Sequence, residues 1–155
     1  MRIRSALIVI ATLSLAGCSS STHAPSGPIS TDDFAHRATQ ACSVAVSRHS
    51  GALPDSPQQL VAVVADNAQV TAPVLTAIRR LPALRTQPSG ESQMQMLADW
   101  NQWLTNINAF RSRTFATKDD VLTAVDQIEQ PAFRASSFFS NLVIPKCAAL
   151  FPSGE

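Results

Sequence analysis

The sequence predicts an all-α protein, folded as an antiparallel up-and-down four-helix bundle. Apolar residues recur at helical spacing in four segments, and short stretches rich in proline, glycine and serine separate these segments. The chain has only five glycines, no Asn-Gly or Asp-Gly hairpin signal and no alternating run of β-branched residues, so a sheet is not expected. Its 155 residues suit one domain with one core.

The first helix begins with Ser30 or Thr31 as its N-cap. Two aspartates follow in the first turn, where their negative charge meets the positive end of the helix dipole. The helical periodicity of the segment puts Cys42 on the buried face. Gly51 and Pro54 are expected to end this helix, because neither residue favours its continuation.

The second helix starts with Ser56 as N-cap and Pro57 in the first helical position, where the missing N–H of proline is tolerated. It ends before Pro82. Pro73 lies inside this helix and removes the hydrogen bond to the carbonyl of Gln69. We therefore expect either a kink at Pro73 or two short helices in place of one.

The third helix is predicted from about Glu91 to Ser112. The fourth helix begins at Thr117, which nearly matches a capping box with Asp120, and Pro131 interrupts it with a second kink. The inward face predicted for the third helix contains Met94, Leu97, Trp100, Leu104, Ile107 and Phe110, with Trp103 on the same side.

The residues before the bundle follow the order of an export signal. Arg2 and Arg4 form a positive end, and residues 6–15 are almost wholly apolar. This apolar run is too short to span about 30 Å of hydrocarbon as a helix. It leads into Leu15-Ala16-Gly17-Cys18, which resembles the lipobox of bacterial lipoproteins.

The lipobox resemblance implies that residues 1–17 are a signal peptide and that Cys18 becomes the lipidated first residue. Two or three acyl chains, such as palmitate, would hold the protein stably on the extracytoplasmic side of the cell membrane. An ordinary secreted protein is the alternative interpretation. Residues 18–30 have the composition of a flexible tether, and residues 31–150 are expected to form the helical domain.

The charge and cysteine content fit this compartment. After removal of residues 1–17, ten basic and eleven acidic side chains remain, so we expect no nucleic-acid partner and no polybasic membrane patch. Cys42 and Cys147 are then an even pair in an extracytoplasmic protein, and we expect a disulfide between them. A redox or metal-binding thiol pair is the alternative, but neither a CxxC motif nor Cys/His spacing supports it.

The mature domain resembles a loose group of small secreted or lipid-anchored helical proteins of actinobacteria. The resemblance rests on Phe34 and Cys42 in the first helix, on the Leu81-Pro82 pair, on the tryptophan-bearing third helix and on the single late cysteine. Members commonly have a glycine before that cysteine, where this chain has Val143-Ile144-Pro145. The group implies a fold and no activity.

The sequence contains no constellation that indicates an enzyme. It has no nucleophile elbow, no HExxH motif, no phosphate-binding glycine loop and no Cys/His cluster, so we expect no catalytic residues, no cofactor and no metal site. His36 is expected to pair with Asp32 one turn earlier. Asp126 and Glu129 are interpreted as a solvated face, with a polar spot beside Pro131 as the alternative.

The third helix is the strongest functional candidate. Met94, Trp100, Trp103 and Ile107 are a possible partner or ligand surface, and ordinary core packing is the alternative. We expect a non-catalytic interaction or accessory module of the cell envelope. The competing hypothesis is a carrier of a lipid or other apolar small molecule, with a cavity between the kinked halves of helices two and four.

Overall fold

The structure is a computed structural model that describes residues 27–46 and 54–152. The predicted signal peptide, Cys18 and most of the predicted tether lie outside the described residues. The described part of the chain is mostly helical and contains no strand. Its helices are α1 (Thr31–Val46), α2 (Pro57–Gln69), α3 (Ala72–Arg79), α4 (Gln93–Arg111), α5 (Lys118–Ile128), α6 (Gln130–Asn141) and α7 (Pro145–Ala148).

The helix starts lie where the sequence predicts them or within two residues. The Ser30 hydroxyl accepts a hydrogen bond from the Asp33 N–H at 3.1 Å and caps α1. Ser56 caps α2 in the same way. Thr117 and Asp120 form the predicted capping box, in which each side chain accepts a hydrogen bond from the other residue's backbone N–H. Side-chain caps of this kind satisfy backbone donors that the first turn leaves unpaired.

The two internal prolines divide the chain into separate helices. Pro73 lies in the first turn of α3, and Pro131 lies in the first turn of α6. Each proline is therefore accommodated where a helix begins, because its missing N–H is harmless there. The predicted second helix becomes α2 and α3, and the predicted fourth helix becomes α5 and α6.

Helix α4 lies at the centre of the packing, where it contacts α2, α3, α5 and α6. Its most buried large side chains include Trp100, Ile107 and Phe110. Helix α7 packs against α1 and α6. The Cys42–Cys147 disulfide joins α1 to α7, with the two Cα atoms 5.1 Å apart, which confirms the predicted pair.

The buried core extends past both ends of the predicted domain, residues 31–150. Ile29, which was assigned to the tether, is buried, and its N–H donates to the carbonyl of Ala83 at 2.9 Å. Its own carbonyl accepts the N–H of Arg85 at 2.9 Å. Phe151, one residue beyond the predicted domain, is also buried. Ile29 forms a bridge with Leu84, and the ring of Phe151 packs against Trp100 and Trp103; local sequence patterns do not encode these contacts between distant residues.

The segment Pro57–Arg79 is long and apolar enough to cross a membrane, judged by length and composition. The structure breaks it between α2 and α3 and packs both parts against other helices. Core helices of globular proteins meet the same criteria of length and composition, and the buried side chains of α2 and α3 belong to the core of this domain.

Candidate functional site

A cavity of about 280 Å³ lies where α2, α4, the junction of α5 and α6, and the segment after α7 meet. Most of its lining residues have apolar side chains, with Asn67 and Glu129 as the polar ones, and polar and apolar atoms contribute almost equally to its surface. The lining residues are Val64, Asn67, Ala68, Trp103, Glu129, Ala149, Leu150, Phe151 and Pro152. We call it the Trp103 cavity.

The break before Pro131 positions Glu129 at the cavity. Glu129 ends α5 and precedes α6; its N–H donates to the carbonyl of Val125, and its carbonyl accepts the N–H of Phe133, both at 3.1 Å. Burial, with a further contribution from the negative charge of Asp126, raises the pKa of Glu129 to about 7. The polar spot beside Pro131 is thus present, and Glu129 is its half-buried member.

Trp103 forms the aromatic wall of the cavity. Its side chain is 4% exposed, and its ring centroid lies 5.6 Å from that of Phe151. The indole Nε1 of Trp103 is buried and finds no acceptor in the described chain. By contrast, Nε1 of Trp100 donates to Oγ1 of Thr71 at 3.0 Å. Unpaired buried donors are rare in folded proteins, which makes Nε1 of Trp103 a candidate ligand contact.

The segment after α7 supplies another part of the wall. The disulfide fixes α7 against α1, and the chain then places Phe151 over both tryptophans. The ring centroids of Trp100 and Phe151 are 4.9 Å apart with an edge-to-face geometry, which is favourable for aromatic pairs. The shape of the cavity therefore depends on the disulfide as well as on the helices.

A second cluster of ionisable groups lies between α4 and α6, with Asp99 at its centre. Asp99 is almost fully buried, and it accepts hydrogen bonds from Arg134 at 2.8 Å and from Gln95 at 3.2 Å. Burial pushes the pKa of Asp99 upward, but the bonds from Arg134 and Gln95 outweigh it, and the net shift is downward.

Glu91 completes this cluster from the loop before α4. Burial, a side-chain hydrogen bond with Asp99 and the negative charge of Asp99 raise the pKa of Glu91 to about 7. Glu91 therefore holds a proton more readily than Asp99, which stays ionised beside Arg134. Neither Glu91, Asp99 nor Arg134 lines the Trp103 cavity, and the cluster joins α4 to α6 and to the preceding loop.

The residues predicted as a partner or ligand surface separate into two groups. Trp100 and Ile107 are fully buried, and Trp103 is buried except for the wall it gives to the cavity. Met94 is 81% exposed and lies apart from them, so the prediction of one inward face that includes Met94 is wrong. Met94 and Trp100 are six residues apart, and at about 100° per residue this places Met94 about 120° from Trp100 around the helix.

Met94 instead borders a groove of about 360 Å³ on the outside of the domain, next to Leu81 and Leu97. Met96, four residues before Trp100, takes the buried position that the prediction gave to Met94. His36 also differs from its prediction, because Nε2 of His36 lies 2.9 Å from Nε2 of Gln40 and the predicted pairing with Asp32 does not form.

Some features of the site were not predicted from the sequence. Phe151 follows the last predicted core residue, and no periodic pattern includes it. The Glu91, Asp99 and Arg134 cluster joins residues from a loop and two helices that are far apart in the chain. Asp126 and Glu129 did carry a signal, namely two carboxylates beside a helix-breaking proline.

Within the described ranges, no group of three or more His, Cys, Asp and Glu side chains is arranged to hold a metal ion. Comparisons of the chain with protein-family models, with curated proteins and with solved structures give no match. The candidate site is therefore interpreted from its own geometry.

Proposed function

We propose that this protein is a lipid-anchored, non-catalytic accessory module of the cell envelope that acts by binding. The export signal and the lipobox ending in Cys18 support the anchor. The single observation that supports binding is the Trp103 cavity, which combines mostly apolar side chains, among them an aromatic one, with a half-buried carboxyl group. Pockets that combine apolar side chains with a few polar groups are typical of ligand-binding sites. Binding in such a pocket needs no nucleophile and no general base.

We also propose that the helices form an antiparallel four-helix bundle. We group α2 with α3 and α5 with α6 as two broken arms, which with α1 and α4 make an antiparallel four-helix bundle. The cavity lies beside the ends of α2 and α5, where the two arms break. Breaks of this kind separate helices locally and leave room for a ligand.

The carrier form of this function has a direct test. The mature protein is purified gently from its own membranes, and its mass is measured before and after denaturation. We expect a small, largely apolar molecule that co-purifies with the native protein and is released on denaturation. A native mass equal to that of the lipidated, disulfide-bonded chain alone would contradict the carrier form.

A pair of variants connects any bound molecule to the Trp103 cavity. Asn67→Phe places a larger side chain in the cavity wall, whereas Ala62→Phe places the same side chain on an exposed position of α2 that does not line the cavity. The bound molecule should disappear from the Asn67→Phe protein and persist in the Ala62→Phe protein.

The anchor has its own test, which is independent of ligand binding. Cys18→Ser should abolish the mass increase that acylation causes and move the protein from the membrane fraction to the soluble fraction. Retention in the membrane without acylation would contradict the lipoprotein assignment.

A protein partner is the second candidate for what the module binds. The observation that favours it is the exposed side chain of Met94 beside an apolar groove on the outside of the domain. Crosslinking of the anchored protein in its own membranes should then join an envelope protein to this groove, and Met94→Glu should reduce the yield. Leu122→Glu is the matched control, because Leu122 is an exposed leucine on a different helix.

A further inference from the structure

The ionisable group of the Trp103 cavity is an acid. Among the side chains that line the cavity, Glu129 alone is ionisable, and the others are apolar, aromatic or amide groups. The walls beside it include the rings of Trp103 and Phe151, which lie 5.6 Å apart. A carboxylate surrounded in this way is poorly solvated on the side that faces the protein.

The described chain provides no cation for this carboxylate. The ion pairs of the described residues join Arg111 to Asp66 and Arg134 to Asp99, and neither involves Glu129. The charged group that acts on Glu129 is Asp126, which is also acidic. When Glu129 is ionised, the cavity therefore presents a negative charge that none of the described basic side chains compensates.

We infer that the Trp103 cavity binds a small organic cation, in which an ammonium group is carried by a compact apolar body. This inference depends on the proposed function, because it takes the cavity as the binding site. The ammonium group would form a charge-assisted hydrogen bond with the Glu129 carboxylate. The faces of Trp103 and Phe151 attract cations, and Val64 and Leu150 would contact the apolar body.

The other ligand classes fit this site less well. An anion could accept a hydrogen bond from Nε1 of Trp103, but it would lie beside the Glu129 carboxylate with no basic side chain among the lining residues. A neutral apolar molecule would fill the space but leave the carboxylate unpaired. The volume of about 280 Å³ is near the lower end for ligand pockets, which suits a ring-sized molecule better than a whole two-chain lipid.

Binding of a cation should depend on pH in a defined direction. The pKa of Glu129 is raised to about 7 by burial and by Asp126, so the free protein holds this group protonated at lower pH. A cation binds the ionised form, and its affinity should therefore fall about tenfold per pH unit below 7 and level off above it. Asp66, on the neighbouring helix α2, is already paired with Arg111.

Three probes with the same ring test the inference by isothermal titration calorimetry at pH 8. They are cyclohexylammonium, cyclohexanol and cyclohexanecarboxylate, added to the full-length protein in detergent, with detergent alone as the blank. We expect cyclohexylammonium to bind at least tenfold more tightly than cyclohexanol, a difference of about 1.4 kcal/mol. Cyclohexanecarboxylate should bind most weakly.

Two variants with the same change in charge assign the preference to one residue. Glu129→Gln should remove the advantage of cyclohexylammonium over cyclohexanol. Asp66→Asn, which removes an exposed carboxylate outside the cavity, should preserve the advantage.

The outcomes separate this inference from the proposed function. Equal binding of cyclohexylammonium and cyclohexanol, or a preference that survives Glu129→Gln, would overturn the cation inference and leave the cavity as a binding site. Absence of binding by all three probes, or binding that is insensitive to Asn67→Phe, would overturn the cavity as the binding site as well.

Discussion

At the scale of single residues, Asp99 shows how a buried charge is retained in this small domain. Both of its carboxylate oxygens accept hydrogen bonds, one from Arg134 and one from Gln95. The Asp99 side chain is 6% exposed, whereas that of Arg134 is 55% exposed. The cost of desolvation therefore falls mainly on Asp99, and Arg134 keeps much of its own hydration.

Removal of Arg134 should destabilise the protein far more than removal of a surface arginine. We expect Arg134→Met to lower the free energy of unfolding by about 2 kcal/mol at pH 7, because Asp99 is left buried without its cation. That value is below the cost for a fully buried pair, since Arg134 is half exposed. Denaturant unfolding followed by circular dichroism measures the change.

Arg111→Met is the matched control. Arg111 pairs with Asp66 at 3.3 Å, and both side chains are more than half exposed, so its loss should change stability by no more than about 0.5 kcal/mol. Equal effects of the two substitutions would show that Asp99 does not depend on Arg134.

At the scale of the helices, the junction of α2 and α3 depends on one hydroxyl group. Thr71 is fully buried at this junction, where its Oγ1 donates to the carbonyl of Ala68 at 2.7 Å and accepts the N–H of Trp100 at 3.0 Å. The proline that follows explains why a helix begins there, and the contact with Trp100 explains where the junction lies against α4.

Thr71→Val should lower the free energy of unfolding by about 1 to 3 kcal/mol. Valine has the same shape as threonine but leaves the indole N–H of Trp100 buried without an acceptor. The control is Thr76→Val on the exposed side of α3, where the hydroxyl bonds only to the carbonyl of Ala72 and the change should stay within about 0.5 kcal/mol. Thermal unfolding of both variants gives the comparison, and similar losses would contradict the role of Thr71.

The end of α6 has an unusual residue for its conformation. Val143 has a φ of 56°, in the left-handed region, and its side chain is 82% exposed. The Ile144 N–H donates to the Phe139 carbonyl at 2.8 Å and the Val143 N–H donates to the Ser140 carbonyl at 3.0 Å, the bond pattern of a Schellman motif. Glycine is the residue that this position favours, because a β-branched side chain is strained there.

Val143→Gly should therefore stabilise the protein, by about 0.5 to 1 kcal/mol. Relief of the left-handed strain exceeds the added entropy of glycine in the unfolded chain, and little buried surface is lost. Thr123→Gly, at an exposed position inside α5, should instead destabilise it slightly, by about 0.3 kcal/mol, because threonine already has a low helix propensity. Destabilisation by Val143→Gly, measured by thermal unfolding, would be the contradictory result.

At the scale of the whole molecule, the Cys42–Cys147 disulfide closes a loop across 105 residues and joins α1 to α7. The segment after α7 then contributes Phe151 to the core and to the Trp103 cavity. The bond thus links the stability of the domain to the shape of its candidate site.

Loss of this disulfide should lower the free energy of unfolding by roughly 2 to 5 kcal/mol, because a long loop gains much freedom in the unfolded chain. Such a loss is a large fraction of the stability of an ordinary domain. The measurement is denaturant unfolding of the native protein with and without reductant. Reductant should have no effect on the Cys42→Ala/Cys147→Ala double variant, and a wild-type protein that is equally insensitive would contradict the prediction.

The sequence by itself determined the helical class, the caps at Ser56 and Thr117, the positions of the proline breaks and the cysteine pair. These features follow from interactions within a few residues, from apolar periodicity and from the even number of cysteines that follow the predicted signal peptide and lipidated Cys18. The prediction for Met94 was wrong because each three-residue step is about 60° short of a full turn, so two such steps leave the buried face of the helix.

Only the tertiary structure decided which distant groups meet. The contact of Thr71 with Trp100, the pairing of Asp99 with Arg134 and the placement of Glu129 beside Trp103 and Phe151 depend on how helix faces pack together. The periodicity of apolar residues predicts which side chains are buried but does not predict which residues they pack against. The candidate site of this protein consists of such partners, and for that reason it emerged from the fold and not from a motif.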